Sequence, residues 1–168
     1  TASDACNGAT VNILGDATSV NGCTTTITRS WDATDVCGNH SATVSQAITI
    51  VDTTPPTIGA AGAPATIECT ATPSFTAPTA SDACNGATVN ILGDATSVNG
   101  CTTTITRSWD ATDVCGNHSA TVSQTITIVD TTPPTIGAAG APATIECTAT
   151  PSFTAPTASD ACNWATVN

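Results

Sequence analysis

The sequence predicts an all-β protein made of tandem immunoglobulin-like β-sandwich modules, with two disulfides in each 78-residue repeat. The first observation is strict alternation of apolar and polar side chains between Thr104 and Thr112, which is typical of a half-buried antiparallel strand. The second is a composition rich in threonine, valine and isoleucine, without the apolar stripe of an amphipathic helix. The third is an internal repeat that carries four cysteines each time.

The internal repeat covers nearly the whole chain. Residues 1–78 recur at 79–156, and a third copy starts at Thr157. The copies differ at position 47 against 125, alanine against threonine, and Trp164 stands where the earlier copies have a loop glycine. Such near-identity indicates a tandem array, which is common in stalks and fibres and rare in enzymes. An exposed tryptophan favours contact with a neighbour, so Trp164 is predicted to lie at an interface.

A proline-containing linker separates the modules. The segment IVDTTPPT occurs at 50–57 and again at 128–135, and its paired prolines cannot donate to a sheet ladder. We therefore expect one complete repeat over 55–132. Residues 1–54 form the C-terminal part of a first repeat, and residues 133–168 form the N-terminal part of a third.

Seven short strands with turn residues between them are predicted in the complete repeat, as in an immunoglobulin-like sandwich. The last two form a hairpin, because Asp113, Gly116 and Asn117 supply a turn between two alternating runs. The predicted strands are Thr57–Ile58, Ala65–Thr70, Ser74–Ala80, Thr88–Leu92, Ala95–Val98, Thr102–Asp110 and Ser119–Val129.

Charge and hydropathy argue against several classes of function. The formal net charge is −11, and Arg29 and Arg107 are the chain's whole complement of lysine and arginine, which disfavours nucleic acid and anionic membrane surfaces as partners. No apolar run is long enough to span a bilayer, so no membrane insertion is expected. The start at Thr1, in mid-pattern and without methionine, favours a fragment of a longer secreted polypeptide.

Four cysteines per repeat in a small β module indicate two disulfides and an extracellular setting. Zinc is disfavoured, because no CxxC pair occurs and the spacings are wide. Cys69 and Cys101 begin strands that run in the same direction on facing sheets, whereas Cys84 and Cys115 lie in loops at the opposite end. The predicted bonds are therefore Cys69–Cys101 and Cys84–Cys115. Disulfide chemistry is also expected of the remaining cysteines, which are Cys6, Cys23, Cys37, Cys147 and Cys162.

Three segments, TRSWDATDVCGN at 106–117, VDTTPPTI at 129–136 and SDACN at 81–85, resemble the hyalin-type (HYR-like) repeat, an immunoglobulin-like extracellular module. The resemblance is closest to the cysteine-containing form repeated in giant surface adhesins and filaments of Bacteroidetes, which are similar to gliding-motility adhesins exported by type IX secretion. It covers the whole period. It implies a role in cell adhesion or surface structure outside the cell, and it offers no catalytic residues.

Each repeat places one tryptophan and one arginine on the apolar face of the same strand. The pattern favours a core tryptophan with the guanidinium stacked beside it or reaching past it, and its charge is expected to meet Glu68 or Asp82. A ligand-binding platform is the alternative for this pair. The predicted core residues are Trp31 with Arg29 and Trp109 with Arg107.

Calcium is the one cofactor that the sequence raises, because dispersed carboxylates near a module end can hold this ion and stiffen the joint. No DxDxDG-type loop occurs, and aspartate is also an ordinary turn residue, so the sequence requires no cofactor. The candidate calcium ligands are Asp82, Asp110, Asp113 and Asp130.

These observations predict a non-catalytic structural repeat of an extracellular cell-surface filament or stalk, involved in adhesion or motility. The alternative is a module that itself binds a polysaccharide or a host surface, with calcium as its cofactor. Neighbouring identical repeats or chains are the expected partners, because residues 133–168 carry the front strands that residues 1–54 lack. The expected contacts between such chains are Cys147 with Cys23 and Cys162 with Cys37.

Overall fold

The computed structural model describes residues 2–3, 8–84 and 86–162, and these residues form eleven β-strands and no helix. Strands form where threonine, valine and isoleucine alternate with small polar residues, since branched side chains suit a pleated surface. The strands are β1 (Ala9–Asn21), β2 (Thr24–Asp35), β3 (Val44–Val51), β4 (Thr57–Ile58), β5 (Ala65–Glu68), β6 (Ala80–Ser81), β7 (Ala87–Asn99), β8 (Thr102–Asp113), β9 (Val122–Val129), β10 (Thr135–Ile136) and β11 (Ala158–Ser159).

The first sheet is a three-stranded antiparallel meander with the order β1-β2-β3. Asn21 pairs with Thr24, so β1 and β2 are joined by a two-residue turn, in which Gly22 has a φ of 56°. The register of this pair shifts between Ile13 and Gly15, and Gly15 has a φ of 132°. The extra residue is a β-bulge, which lets one long strand bend without ending.

The second sheet has four strands in the order β5-β9-β8-β7. β8 and β9 pair antiparallel, whereas β5 lies parallel to β9, with Ala65 opposite Ile126 and Glu68 opposite Val129. Two small sheets, β4-β6 and β10-β11, accompany the larger ones. This all-β architecture agrees with the predicted immunoglobulin-like sandwich.

Two strand predictions were wrong. Ser74–Ala80 is irregular up to its last residue, because Pro73 precedes the segment and Pro78 lies within it, and neither has an N–H to donate to a ladder. The pieces predicted at Thr88–Leu92 and Ala95–Val98 are one continuous strand, β7, in which Gly93 has a φ of 129°.

The chain divides into two compact units, each made of several segments. The first comprises residues 1–57, 80–88 and 111–120, and the second comprises residues 58–79, 89–110 and 121–168. The module boundaries after residues 54 and 132 follow the sequence period, and they stay predictions.

The best-formed core lies in the second unit. Trp109 and Ile126 are each 1% exposed there. In the first unit, the corresponding positions of β2 and β3 are less covered: Trp31 is half-buried, and Ile48 is 58% exposed. The same strand sequence is therefore packed in one unit and open in the other.

Candidate functional site

The first unit contains a disulfide between Cys23 and Cys115, whose Cα atoms are 5.4 Å apart. Cys23 lies in the tight turn between β1 and β2, and Cys115 lies in the loop that follows β8. The two residues are 92 positions apart, which is more than one period of the sequence. The bond therefore joins residues of successive repeats.

The loop DVCGN holds Cys115 through hydrogen bonds to Asp113. The Oδ1 atom of Asp113 accepts from the N–H groups of Cys115 (2.8 Å) and Asn117 (2.9 Å), and its Oδ2 accepts from Asn117 Nδ2 at 2.8 Å. Gly116 has a φ of 85°, which an L side chain rarely adopts. Burial raises the pKa of Asp113, but the donors from Asn117 and its neighbours outweigh burial and lower that pKa overall.

The second unit contains a disulfide between Cys69 and Cys162, with Cα atoms 5.6 Å apart and a separation of 93 residues. Cys69 extends the β5–β9 pairing, since its N–H donates to the carbonyl oxygen of Val129 at 2.9 Å. The Cys162 N–H donates to Asp160 Oδ1 at 2.8 Å. The free Cys101 lines the same surface depression as this bond.

The predicted cysteine pairing was wrong. Cys69 does lie in one depression with Cys101, but its sulfur bonds Cys162, and Cys115 bonds Cys23 in place of Cys84. The physical reason is that each bond joins cysteines of two successive repeats. The prediction considered only pairs within one repeat, so it could not find these partners. The free thiols are Cys37, Cys84, Cys101 and Cys147, and Cys6 lies outside the described residues.

An aromatic and cationic cluster covers the second sheet. Phe75 meets Trp109 edge-on, with ring centroids 6.4 Å apart, and the Arg107 guanidinium carbon lies 4.4 Å from the Phe75 centroid. Asp94 on β7 accepts from Arg107 Nε at 2.6 Å and from Nη2 at 2.7 Å, a two-pronged ion pair. Hydrogen bonding to Asp94 raises the pKa of Arg107, and the same bond lowers the pKa of Asp94.

The partner of Arg107 therefore differs from the predicted Glu68 or Asp82. Asp94 lies on the strand beside β8, whereas the sequence prediction placed it in a gap between two short strands. The first unit repeats this pair as Arg29 with Asp16, whose oxygens lie 2.6 Å from the guanidinium nitrogens. A repeated arginine and aspartate 13 positions apart was the signal that could have identified it.

Gln124 is a site residue that the sequence analysis missed. It is buried on β9, where its Oε1 accepts from the Thr76 N–H at 2.8 Å and its Nε2 donates to the Ala63 carbonyl oxygen at 2.9 Å. Gly62 allows this close approach, because a Cβ there would lie 2.8 Å from the Gln124 amide. The amide thus fastens residues 58–79 to the sheet.

Replacing Gln124 by alanine should lower the free energy of unfolding by about 1–3 kcal/mol, because two backbone polar groups lose their buried partner. The matched control is Gln46→Ala, since Gln46 occupies the same position of β3 and is exposed. We expect the control to change stability by less than about 0.5 kcal/mol in urea denaturation. Equal effects of the two substitutions would contradict this role of Gln124.

The four candidate calcium ligands lie in different local settings. Asp113 orders its loop, and Asp110 is buried, with its Oδ1 accepting from Asn90 Nδ2 at 2.9 Å. Asp82 lies near Asp52 and Cys84, and Asp130 lies near Glu68 and the Cys69–Cys162 bond. No three of the four share one group of ligand atoms among the residues that the structure describes. Trp164 falls outside those residues.

The Cys84 thiol lies in an acidic setting. The charge of Asp52, burial and the charges of Asp82 and Asp113 all raise its pKa, in that order of size. Nearby negative charge disfavours the thiolate form of this cysteine. One ligand atom each of Asp52, Asp82 and Cys84 lies within 4.8 Å of the others.

The four-cysteine β module has a known counterpart. Residues 57–128 match the family model of the HYR-like domain with 4 cysteines. No curated protein and no solved structure matches the chain. The HYR-like match and the two disulfides support an extracellular, adhesion-type module. In the part of the chain that the structure describes, no helix is long and apolar enough to cross a membrane.

Proposed function

We propose that the chain is a non-catalytic structural segment of an extracellular filament or stalk that serves adhesion at a cell surface. The observation that carries this proposal is the span of the disulfides, 92 and 93 residues in a sequence whose period is 78. Each bond ties one repeat to the next, which is the arrangement that a load-bearing array needs. The roles in gliding motility and type IX secretion are expectations from the HYR-like resemblance alone.

The two bonds overlap along the sequence, because Cys69 lies inside the loop closed by Cys23 and Cys115. The two bonds are therefore connected by three parallel stretches of backbone, 23–69, 69–115 and 115–162, and these share a pulling force applied at the chain ends. Bonds closed within single repeats would leave the linkers between repeats free to extend. The overlap supports a role in bearing tension.

Single-molecule pulling tests this role on the full chain. We expect the fully extended length before reduction to be roughly 300 Å shorter than after reduction, at about 3.4 Å per residue. Bonds within single repeats would shorten it by only roughly 200 Å. Equal lengths before and after reduction would refute a disulfide-stapled stalk.

A directly ligand-binding adhesin module is the second candidate. The open face of the first sheet has a cavity of about 420 Å³ lined by Trp31, Arg29, Asp16 and Ile48. Aromatic and charged side chains of this kind can contact the apolar and polar parts of a sugar. Binding of the full chain to a polysaccharide panel, with and without calcium, and its loss on Trp31→Ala would favour this candidate over the stalk.

A further inference from the structure

The exposed face of β1-β2-β3 corresponds in sequence to a buried face of the second sheet, formed by β7, β8 and β9. Ile48 is 58% exposed, whereas its equivalent Ile126 is 1% exposed. The difference arises because residues 58–79 of the second unit pack on the Ile126 face, through β5, Phe75 and the bonds of Gln124. Among the residues that the structure describes, no equivalent segment packs on the face of the first sheet.

A second copy of that covering segment lies uncovered elsewhere in the chain. Residues 136–157 are identical in sequence to residues 58–79. Phe153, the equivalent of Phe75, is 93% exposed, and Ile136 and Ile145 are exposed as well. One copy of the chain therefore carries both an open sheet face and the segment whose twin covers such a face.

We propose that residues 136–157 of one copy of the chain pack on the exposed face of β1-β2-β3 of a second copy. The register follows from the β5–β9 pairing, in which Ala65 lies opposite Ile126 and Glu68 opposite Val129. Ala143–Glu146 repeats the sequence of β5, and Ile48–Val51 repeats the part of β9 that pairs with β5. The same pairing therefore places Ala143–Glu146 of the first copy parallel to Ile48–Val51 of the second. The partner is thus a copy of this chain, recognised through a parallel strand and an apolar face.

The polar contacts of the covered sheet carry over to the joint residue by residue. Gln46 of the second copy has the position of Gln124, so its amide meets the Thr154 N–H and the Ala141 carbonyl oxygen of the first. Arg29 of the second copy has the position of Arg107, so its guanidinium lies over Phe153. One placement of the partner therefore buries the apolar face and also supplies the contacts of Gln46 and Arg29.

The free thiols agree with the same placement. Cys101 is the repeat equivalent of Cys23, and Cys37 is the repeat equivalent of Cys115. The equivalent of the Cys23–Cys115 bond at the joint therefore pairs Cys101 of the first copy with Cys37 of the second. In the same way, the equivalent of the Cys69–Cys162 bond pairs Cys147 with Cys84 of the second copy. The four free thiols of the described chain are thus used once each. This pairing replaces the predicted contacts of Cys147 with Cys23 and of Cys162 with Cys37.

Closure of each interchain bond is an oxidation that needs an electron acceptor. A low-molecular-weight disulfide such as oxidised glutathione supplies it: two protein thiols form one S–S bond, and the reagent accepts the electron pair and leaves as two thiols. Residues 157–168 repeat residues 1–12 with one difference, so one of these two stretches stays outside the joint. The inference rests on the structural role proposed above and names its partner.

The test uses two full-length variants, both with Cys6→Ser as a common background. A donor, with Cys37→Ser and Cys84→Ser, keeps Cys101 and Cys147. An acceptor, with Cys101→Ser and Cys147→Ser, keeps the other two free thiols. Both retain the intrachain disulfides, so circular dichroism should match that of the parent. In a buffer of reduced and oxidised glutathione, each variant alone should form no disulfide-linked dimer, because it keeps only one thiol of each proposed pair. The equimolar mixture should give a covalent dimer and no larger covalent species.

The mixture separates the outcomes. A covalent dimer linked by Cys101–Cys37 and Cys147–Cys84 supports the proposal, whereas no covalent dimer, or covalent dimers of one variant alone, overturns it. Phe153→Asp in the donor should reduce dimer yield at least tenfold. Val20→Asp in the acceptor should leave the yield unchanged, because Val20 is 68% exposed and its equivalent in the covered sheet, Val98, is 69% exposed. Failure of dimerisation would leave the pulling result intact, so the two proposals fail separately.

Discussion

Replacing Trp109 by alanine is expected to lower the free energy of unfolding by about 3–5 kcal/mol, as is usual for a fully buried tryptophan. Its ring is 1% exposed and packs against Phe75 and beneath the segment that Gln124 fastens. The Nε1 atom of Trp109 has no hydrogen-bond partner within the described ranges. Trp109→Phe should therefore be much milder than Trp109→Ala, since it removes ring volume without breaking a hydrogen bond.

The repeat supplies the matched control for this substitution. Trp31 has the same strand neighbours in sequence but is only half-buried, so Trp31→Ala should cost the monomeric chain less than half as much. Urea denaturation of the two variants at a low protein concentration measures the difference. Equal destabilisation would mean that the two sheet faces are equally covered in solution. It would contradict the statement that the face of the first sheet is exposed.

Removing the Cys23–Cys115 bond with the double substitution Cys23→Ser and Cys115→Ser is expected to cost about 4 kcal/mol. The reason is that the bond closes a loop of 92 residues and so restricts the unfolded chain strongly. The control is Cys37→Ser with Cys101→Ser, which removes the equivalent thiols where they are free. The control should leave the stability of the monomer unchanged in the same thermal or urea unfolding experiment.

Unreduced proteolysis checks the same bond independently. The chain has no lysine and two arginines, so trypsin can divide it into residues 1–29, 30–107 and 108–168. A direct link between 1–29 and 108–168 that is lost in the Cys23→Ser, Cys115→Ser variant identifies Cys23–Cys115. Bonds within single repeats would instead connect only neighbouring pieces, and finding that pattern would refute the pairing.

Sequence reasoning recovered the elements whose information is local. The alternating runs predicted the cores of β8 and β9, and the Asp113–Asn117 turn follows from residue types that form turns anywhere. Pro73 and Pro78 were visible as well, and giving them more weight would have removed the false strand between them. The bulge at Gly93 was harder to predict, because an isolated glycine can end a strand or bend one.

The ion pair and the glutamine anchor depended on which strands became neighbours. Asp94 could be paired with Arg107 only after β7 was known to be one strand beside β8. Gln124 looked like an ordinary polar residue of an alternating strand, and its burial arises because residues 58–79 cross over it. Neither contact has a signal at short sequence range.

The sequence by itself determined the all-β class, the 78-residue period and the use of cysteines as disulfides, and it predicted an extracellular module. Alternation, composition and self-similarity are properties of the residues in order, and they persist whatever the chain packs against. The tertiary structure decided which cysteines bond and which copy of a repeated surface is covered. Identical repeats offer several sulfurs and several faces of equal chemistry, so only the spatial placement of successive repeats selects among them.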